Sequence, residues 1–287
     1  MKKLSHVIVL AFLLAAFISP ISAKDKNKPS LLVGFYGGMS FSQARSSEGH
    51  QVLEYLGSTP NFTNKSYDAM FSNLGHQFGF VMFYPAMGNL HVGLLPNYSS
   101  YSYGYHNEQE WLDNNGASLA VIHNHQQKLR YLEIPLVVRY YIGTNKLKPY
   151  VEGLFSYGFL LTADKSVDSD YTRNDGSTNT LTQQTKVNGD YKSNYITSKW
   201  DIGAGAGVSY DFDQLIVTLG ATYQYNLNPI SNAKNRYNND LFTSSTYDVQ
   251  DKLSLDALKI NLSVIFPISK ITKKGAVECY YFKEKKR

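Results

Sequence analysis

Two imidazoles sit two residues apart at His123-Asn124-His125, a spacing that puts both on one face of a strand. That face could bind a metal, yet no cysteine joins them and no carboxylate stands near them in sequence. The reading that fits their surroundings is exposed hairpin histidines. His76, His91 and His106 have no motif around them that sets a base beside a nucleophile and an orienting acid. Gly203-x-Gly205-x-Gly207 resembles a phosphate loop, but its period-2 spacing lies mid-strand, where glycines make room inside a narrow barrel. Asn61-Phe-Thr63 and Asn64-Lys-Ser66 match glycosylation sequons, a pattern too short to carry meaning by itself. The single cysteine, Cys279, excludes an internal disulfide framework and a four-ligand zinc site. No catalytic, cofactor or metal residue is assigned.

The elements that carry these residues are strands. After the first 30 residues, period-2 alternation recurs in eight runs rich in aromatics and glycine. The runs are 31–41, 77–85, 90–105, 129–142, 150–161, 199–211, 215–227 and 258–266. The clearest puts Leu132, Ile134, Leu136, Val138, Tyr140 and Ile142 on one face, with Tyr131, Glu133, Arg139 and Tyr141 on the other. The connections near 86–89, 143–148 and 212–213 are short. Those near 42–75, 162–195 and 229–252 are long and rich in Asn, Ser, Thr and Asp. That alternation of short and long separates a transmembrane barrel from a soluble sandwich. Ten residues at about 3.4 Å each, tilted about 40°, cover roughly 25 Å, the height of a barrel's apolar band. The fold class is therefore all-β: an eight-stranded antiparallel up-and-down transmembrane β-barrel.

The aromatics sort to two heights. Tyr84, Tyr140, Tyr210 and Phe266 fall at one end of the apolar face, and Phe41, Tyr98, Phe159, Trp200 and Tyr225 at the other. Amphipathic rings favour the headgroup level. Tyr101–Trp111 and Ala117–Arg130 flank Asp113-Asn114-Asn115-Gly116, which reads as a hairpin projecting above the membrane, with Glu133 set opposite Asn97.

In every clear strand the charged residues fall opposite the lipid-facing residues. Glu133, Arg139, Glu152, Lys199, Asp201 and Lys259 thus converge on an interior that eight strands leave about filled. Buried charges must be paired. A four-residue turn at Thr144–Leu147 would set Arg139 across from Glu152. The set reads as a self-neutralising polar plug rather than an ion path or substrate relay.

Residues 1–23 read as a signal peptide. Lys2 and Lys3 precede the apolar run Val7–Ile18, and small residues lead to Ala23. No cysteine follows to anchor a lipid. The whole-chain charge of +5 divides by location: the signal holds +2, the stretch after Phe266 holds +5, and 24–266 holds −2. The basic charge does not belong to the barrel, and export argues against a nucleic-acid partner. The basic tail, 267–287, is expected in the periplasm, with Cys279 free or open to an intermolecular bond. Its segment Gly275–Phe282 reads as a periplasmic handle, with pairing to the barrel as a ten-stranded alternative.

The stretches Tyr131-Leu-Glu-Ile-Pro135-Leu-Val-Val-Arg-Tyr-Tyr141, Lys148-Pro-Tyr150-Val-Glu-Gly153 and Asp201-Ile-Gly-Ala-Gly-Ala-Gly-Val208 resemble the PorT-type outer-membrane β-barrel proteins of Bacteroidetes-like bacteria. The resemblance covers about 31–266. It implies one barrel in the outer membrane of a Gram-negative bacterium and no shared activity or catalytic residues, though some members are linked to protein secretion. The expected role is a non-enzymatic, structural or binding one at the cell surface, in contact with outer-membrane lipid. The alternatives are a part of a secretion or assembly machine that acts through the tail on a periplasmic partner, and a small-solute porin or barrel enzyme.

Overall fold

A computed structural model describes residues 31–50, 61–62, 65–112, 118–174, 181–212, 214–237 and 248–268. The signal segment, the 113–116 turn, Gly275–Phe282 and Cys279 lie outside the described residues. The strands are β1 (Leu32–Glu48), β2 (Asn61–Phe62), β3 (Ser66–Tyr67), β4 (Leu74–Met87), β5 (Leu90–Leu94), β6 (Asn97–Leu112), β7 (Ser118–Tyr141), β8 (Leu147–Asn174), β9 (Leu181–Asp190), β10 (Ser198–Asp211), β11 (Ile216–Asn226) and β12 (Lys252–Pro267).

All pairings are antiparallel, and they close on themselves. β1 pairs β4 on one side and β12 on the other. β4 pairs β5 and β6, which both pair β7. From there β8, β10, β11 and β12 follow in turn. β5 and β6 occupy one position in the wall, interrupted at Leu95-Pro96, where proline lacks the N–H a ladder needs. Counted this way, the ring has eight positions. A closed ring leaves no strand edge within it.

One end of the ring is tight. β4 turns into β5 through Gly88 at φ 54°, and Gly143 at φ 84° starts the turn from β7 to β8. Both angles lie in the left-handed region that favours glycine. The other end is tall. β7 has 24 residues and β8 has 28, the latter about 90 Å of extended chain, far beyond a bilayer's apolar core. The surplus pairs as a sheet above the ring, widened by β2 and β3 against β6 and by β9 against β8.

This corrects the expectation of a long loop at 162–195. The upper part of β8 is strand, paired with β7 from Arg130↔Thr162 to Ser118↔Asn174 and with β9 from Asp164↔Asp190 to Arg173↔Leu181. Its inward row, Ala163, Lys165, Val167 and Ser169, is buried, and Asp164, Ser166, Asp168 and Asp170 face out. Polar residues on both rows erase the apolar alternation, so neighbouring strands impose the structure and local sequence does not.

Across the ring the burial pattern is inverted relative to a water-soluble protein. Phe35 is 60% exposed, Phe78 58% and Leu262 53%, while Ser40, Gln77, Ser99 and Thr218 are buried. Rings pair along the outer wall, as at Phe35–Phe80 (5.2 Å) and Tyr157–Trp200 (4.2 Å).

Inside, glycines accommodate Tyr150. A Cβ on Gly220 would lie 2.2 Å from its hydroxyl, and one on Gly207 would lie 2.5 Å from its ring. Gly220→Leu is expected to lower stability by about 1–3 kcal/mol through overpacking. An unchanged denaturant midpoint for the folded protein in vesicles would contradict that contact.

Candidate functional site in the barrel lumen

The six charged residues singled out from the sequence come from four strands and form two groups. In the first, β7 contributes Glu133, β10 Lys199 and Asp201, and β12 Lys259. Lys259 Nζ lies 2.6 Å from Glu133 and Lys199 Nζ 3.3 Å from it, and Lys199 reaches Asp201 at 3.1 Å. All four are buried. Tyr101 donates to Glu133 at 2.5 Å and Ser99 at 3.1 Å. Asn226 donates to Asp201 at 3.0 Å. The ammonium of Lys199 also lies 4.2 Å from the Tyr101 ring centre. Two acids meet two lysines, and the group is formally neutral.

The second group lies toward the tight turns. Arg139 of β7 and Glu152 of β8 are directly paired in register. Two guanidinium nitrogens reach one carboxylate oxygen at 2.9 and 2.7 Å. The other carboxylate oxygen accepts from Thr222 at 2.9 Å. The guanidinium is sandwiched by rings, 4.0 Å from the Tyr150 centre and 4.5 Å from that of Phe83. This group is also neutral.

Tyr101, Ser99, Thr222 and Asn226 complete these groups and were not singled out by sequence. The signal that could have found them is parity: each alternates inward with the buried row of its strand.

His123 and His125 are not where they were expected. They are 3% exposed each, inside the projecting sheet rather than on its surface. Their inward parity with Val121 and Gln127 places them there. His123 Nδ1 meets Ser169 Oγ at 2.7 Å, and His125 Nε2 meets Asn107 Oδ1 at 2.8 Å. The first contact brings a hydroxyl to a base, but Ser169 is 1% exposed, so a substrate has no approach to it. Among the described residues no three His, Cys, Asp or Glu gather as a metal site.

Above the lumen groups, Tyr101, Tyr103, Tyr105, Tyr131, Tyr191 and Tyr195 pack in one buried cluster, with Tyr103 and Tyr195 joined hydroxyl to hydroxyl at 2.6 Å. Lumen charges are thus roofed by rings.

A closed antiparallel ring with an apolar outer wall and a charged, paired interior is the architecture of membrane barrels. The family model for the outer membrane protein β-barrel domain matches residues 23–232. The chain belongs to that family. It is an outer-membrane β-barrel protein, which sets it in the Gram-negative outer membrane. No curated protein matches the chain. Among solved structures, Neisserial surface protein A is 13% identical over 83% of this chain and 97% of its own, with a TM-score of 0.34. OprG from Pseudomonas aeruginosa is 14% identical over 84% and 98%, at 0.38. Ail from Yersinia pestis is 9% identical over 83% and 99%, at 0.29. Superpositions this loose add nothing to what the family match and the pairing register show.

Proposed function

We propose that this chain is an eight-stranded up-and-down barrel that crosses the outer membrane with its lumen closed, and that it is not an enzyme. Its work is structural or binding, done at the cell surface by the strands and loops that project from the tall end. The observation that carries this reading is the lumen pairing: Lys259 and Lys199 on Glu133 and Asp201, and Arg139 on Glu152. A conducting or catalytic lumen would keep a charge or a base open to solvent at membrane height. Outer-membrane lipid covers the apolar wall.

Residues 1–23 direct export, the tight turns and both termini face the periplasm, and the chain falls in the PorT-type group. The basic stretch 267–287 meets a periplasmic protein partner. That partner is where a role in a secretion or assembly machine would reside, and the tail's charge of +5 favours an acidic surface. Deleting Ser269–Arg287 separates the two roles. Lost secretion of other proteins with the barrel intact supports the machine, and unchanged secretion supports the surface role.

Orientation and surface display are tested by labelling intact cells with a membrane-impermeant maleimide, on a Cys279→Ser background. Lys186→Cys, in the projecting sheet, is expected to label. Thr144→Cys, in a tight turn, is expected to label only after lysis. The reverse pattern would overturn the proposed orientation.

A further inference from the structure

The mouth of the projecting sheet is held by a third set of charges that the lumen network does not use. Asp248 and Asp251 lie in the short segment leading into β12. Lys65 Nζ lies 2.8 Å from Asp248 and 3.2 Å from Asp251, and Lys165 of β8 lies 3.3 Å from Asp248. Lys65 also donates to the Val249 carbonyl, Tyr105 to Asp248, and Tyr67 to Asp251 at 2.6 Å. All four charged side chains are less than a tenth exposed. Among the described residues two lysines pair with two aspartates in this socket, and the His50 backbone N–H also donates to Asp251 at 2.7 Å.

His123 and His125 open into the same volume. His125 stacks on the Tyr105 ring at 4.4 Å and lies 6.0 Å from His123. The groups facing the pair are Tyr105 and Asn107 of β6, Lys165, Ser169 and Tyr171 of β8, and Lys65 and Asp248 from the connecting segments. Neither ring is hydrogen-bonded to a carboxylate among the described residues. Neutral histidines leave the socket balanced. Protonated ones add two positive charges beside two buried lysines.

We propose that residues 248–251 are a proton-released latch: protonation of His123 and His125 unbalances the socket and frees the segment from the mouth. Burial pushes both imidazoles below their ordinary value, His125 strongly, with Lys165 adding to the effect and the Asp248 carboxylate opposing it without reversing it. Burial alone would raise the Asp248 carboxyl, but Lys165 and Lys65 outweigh it and hold it well below the carboxylate range. Asp248 therefore keeps its charge in mild acid, and His123 and His125 are the responsive groups beside it; His50, at the Asp251 end of the segment, is the third imidazole there and is unaltered in the variants below. The sign follows by linkage. The open form, with histidines at about 6.5, binds more protons than the closed form. Closure is complete above that pH and weakens below it, by up to about tenfold per pH unit for each histidine.

The test is amide hydrogen exchange of the full chain in phosphatidylcholine vesicles at pH 7.5 and 5.0, corrected for the intrinsic pH dependence of exchange. Protection of residues 248–252 and 65–68 is expected to fall at least about tenfold at pH 5.0, with β11 amides unchanged as the internal control. The His123→Gln/His125→Gln variant, neutral at both pH values, is expected to keep its protection. His125→Gln alone serves if the double variant does not fold, with less than half of the response remaining on a logarithmic scale because His125 is the more strongly shifted of the two. Equal protection at the two pH values in the unaltered protein overturns the latch, as does a full response in the variants.

Discussion

Glu133→Ala is expected to destabilise the folded barrel by about 3–5 kcal/mol, read from the midpoint of reversible urea unfolding in vesicles. Glu133 is fully buried and answers two lysines. Removing it leaves Lys199 with Asp201 and leaves Lys259 without a carboxylate among the described residues, its ammonium 3.3 Å from Ser99 and still buried. Tyr101 also loses its acceptor, while Ser99 keeps Asn97 Oδ1 at 2.6 Å. The size comes from the orphaned charge, so the second change should be restorative. Adding Lys259→Met to Glu133→Ala removes the orphan and should recover more than half of the loss. A barrel unaffected by Glu133→Ala would mean that water reaches the site and screens it. That result would also count against a closed lumen.

Arg139→Ala and Glu152→Ala should each cost about 3–5 kcal/mol, and the double variant should cost clearly less than their sum. The geometry is favourable for strong coupling: two guanidinium nitrogens on one oxygen, rings on the guanidinium, and Thr222 on the remaining oxygen. Each partner alone is a buried charge between β7 and β8. Additive costs in the cycle would show that the two residues act separately. Single variants as stable as the unaltered protein would remove the pair altogether.

The ring was legible because lipid on one side and a polar, charge-paired interior on the other impose a strict period of two. Residues such as Leu132, Val138 and Tyr140 could only face one way once Glu133 and Arg139 faced the other. Turn length then fixed register, and the structure sets Arg139 on Glu152 and Asn97 on Glu133. Beyond the ring that constraint lapses. Water on the outside tolerates Asp164, Ser166 and Asp168, and the roofed interior takes Lys165 and Ser169 beside Val167. No apolar row remains to read, and the upper β8 and β9 look like loop. The histidines escape the sequence for the same reason, since a buried polar interior beyond the ring leaves no hydrophobic trace. Asp248 carried no sequence signal, because its neighbours Lys65 and Lys165 are distant in the chain and meet it only in the closed mouth.

The most direct measurement of a closed, self-neutralised lumen is single-channel recording of the folded chain in planar bilayers at pH 7.5 in 1 M KCl. Lumen charges that are paired, roofed by tyrosines and packed against Tyr150 predict a silent membrane. Regular, reproducible conductance steps from protein verified as folded would contradict it.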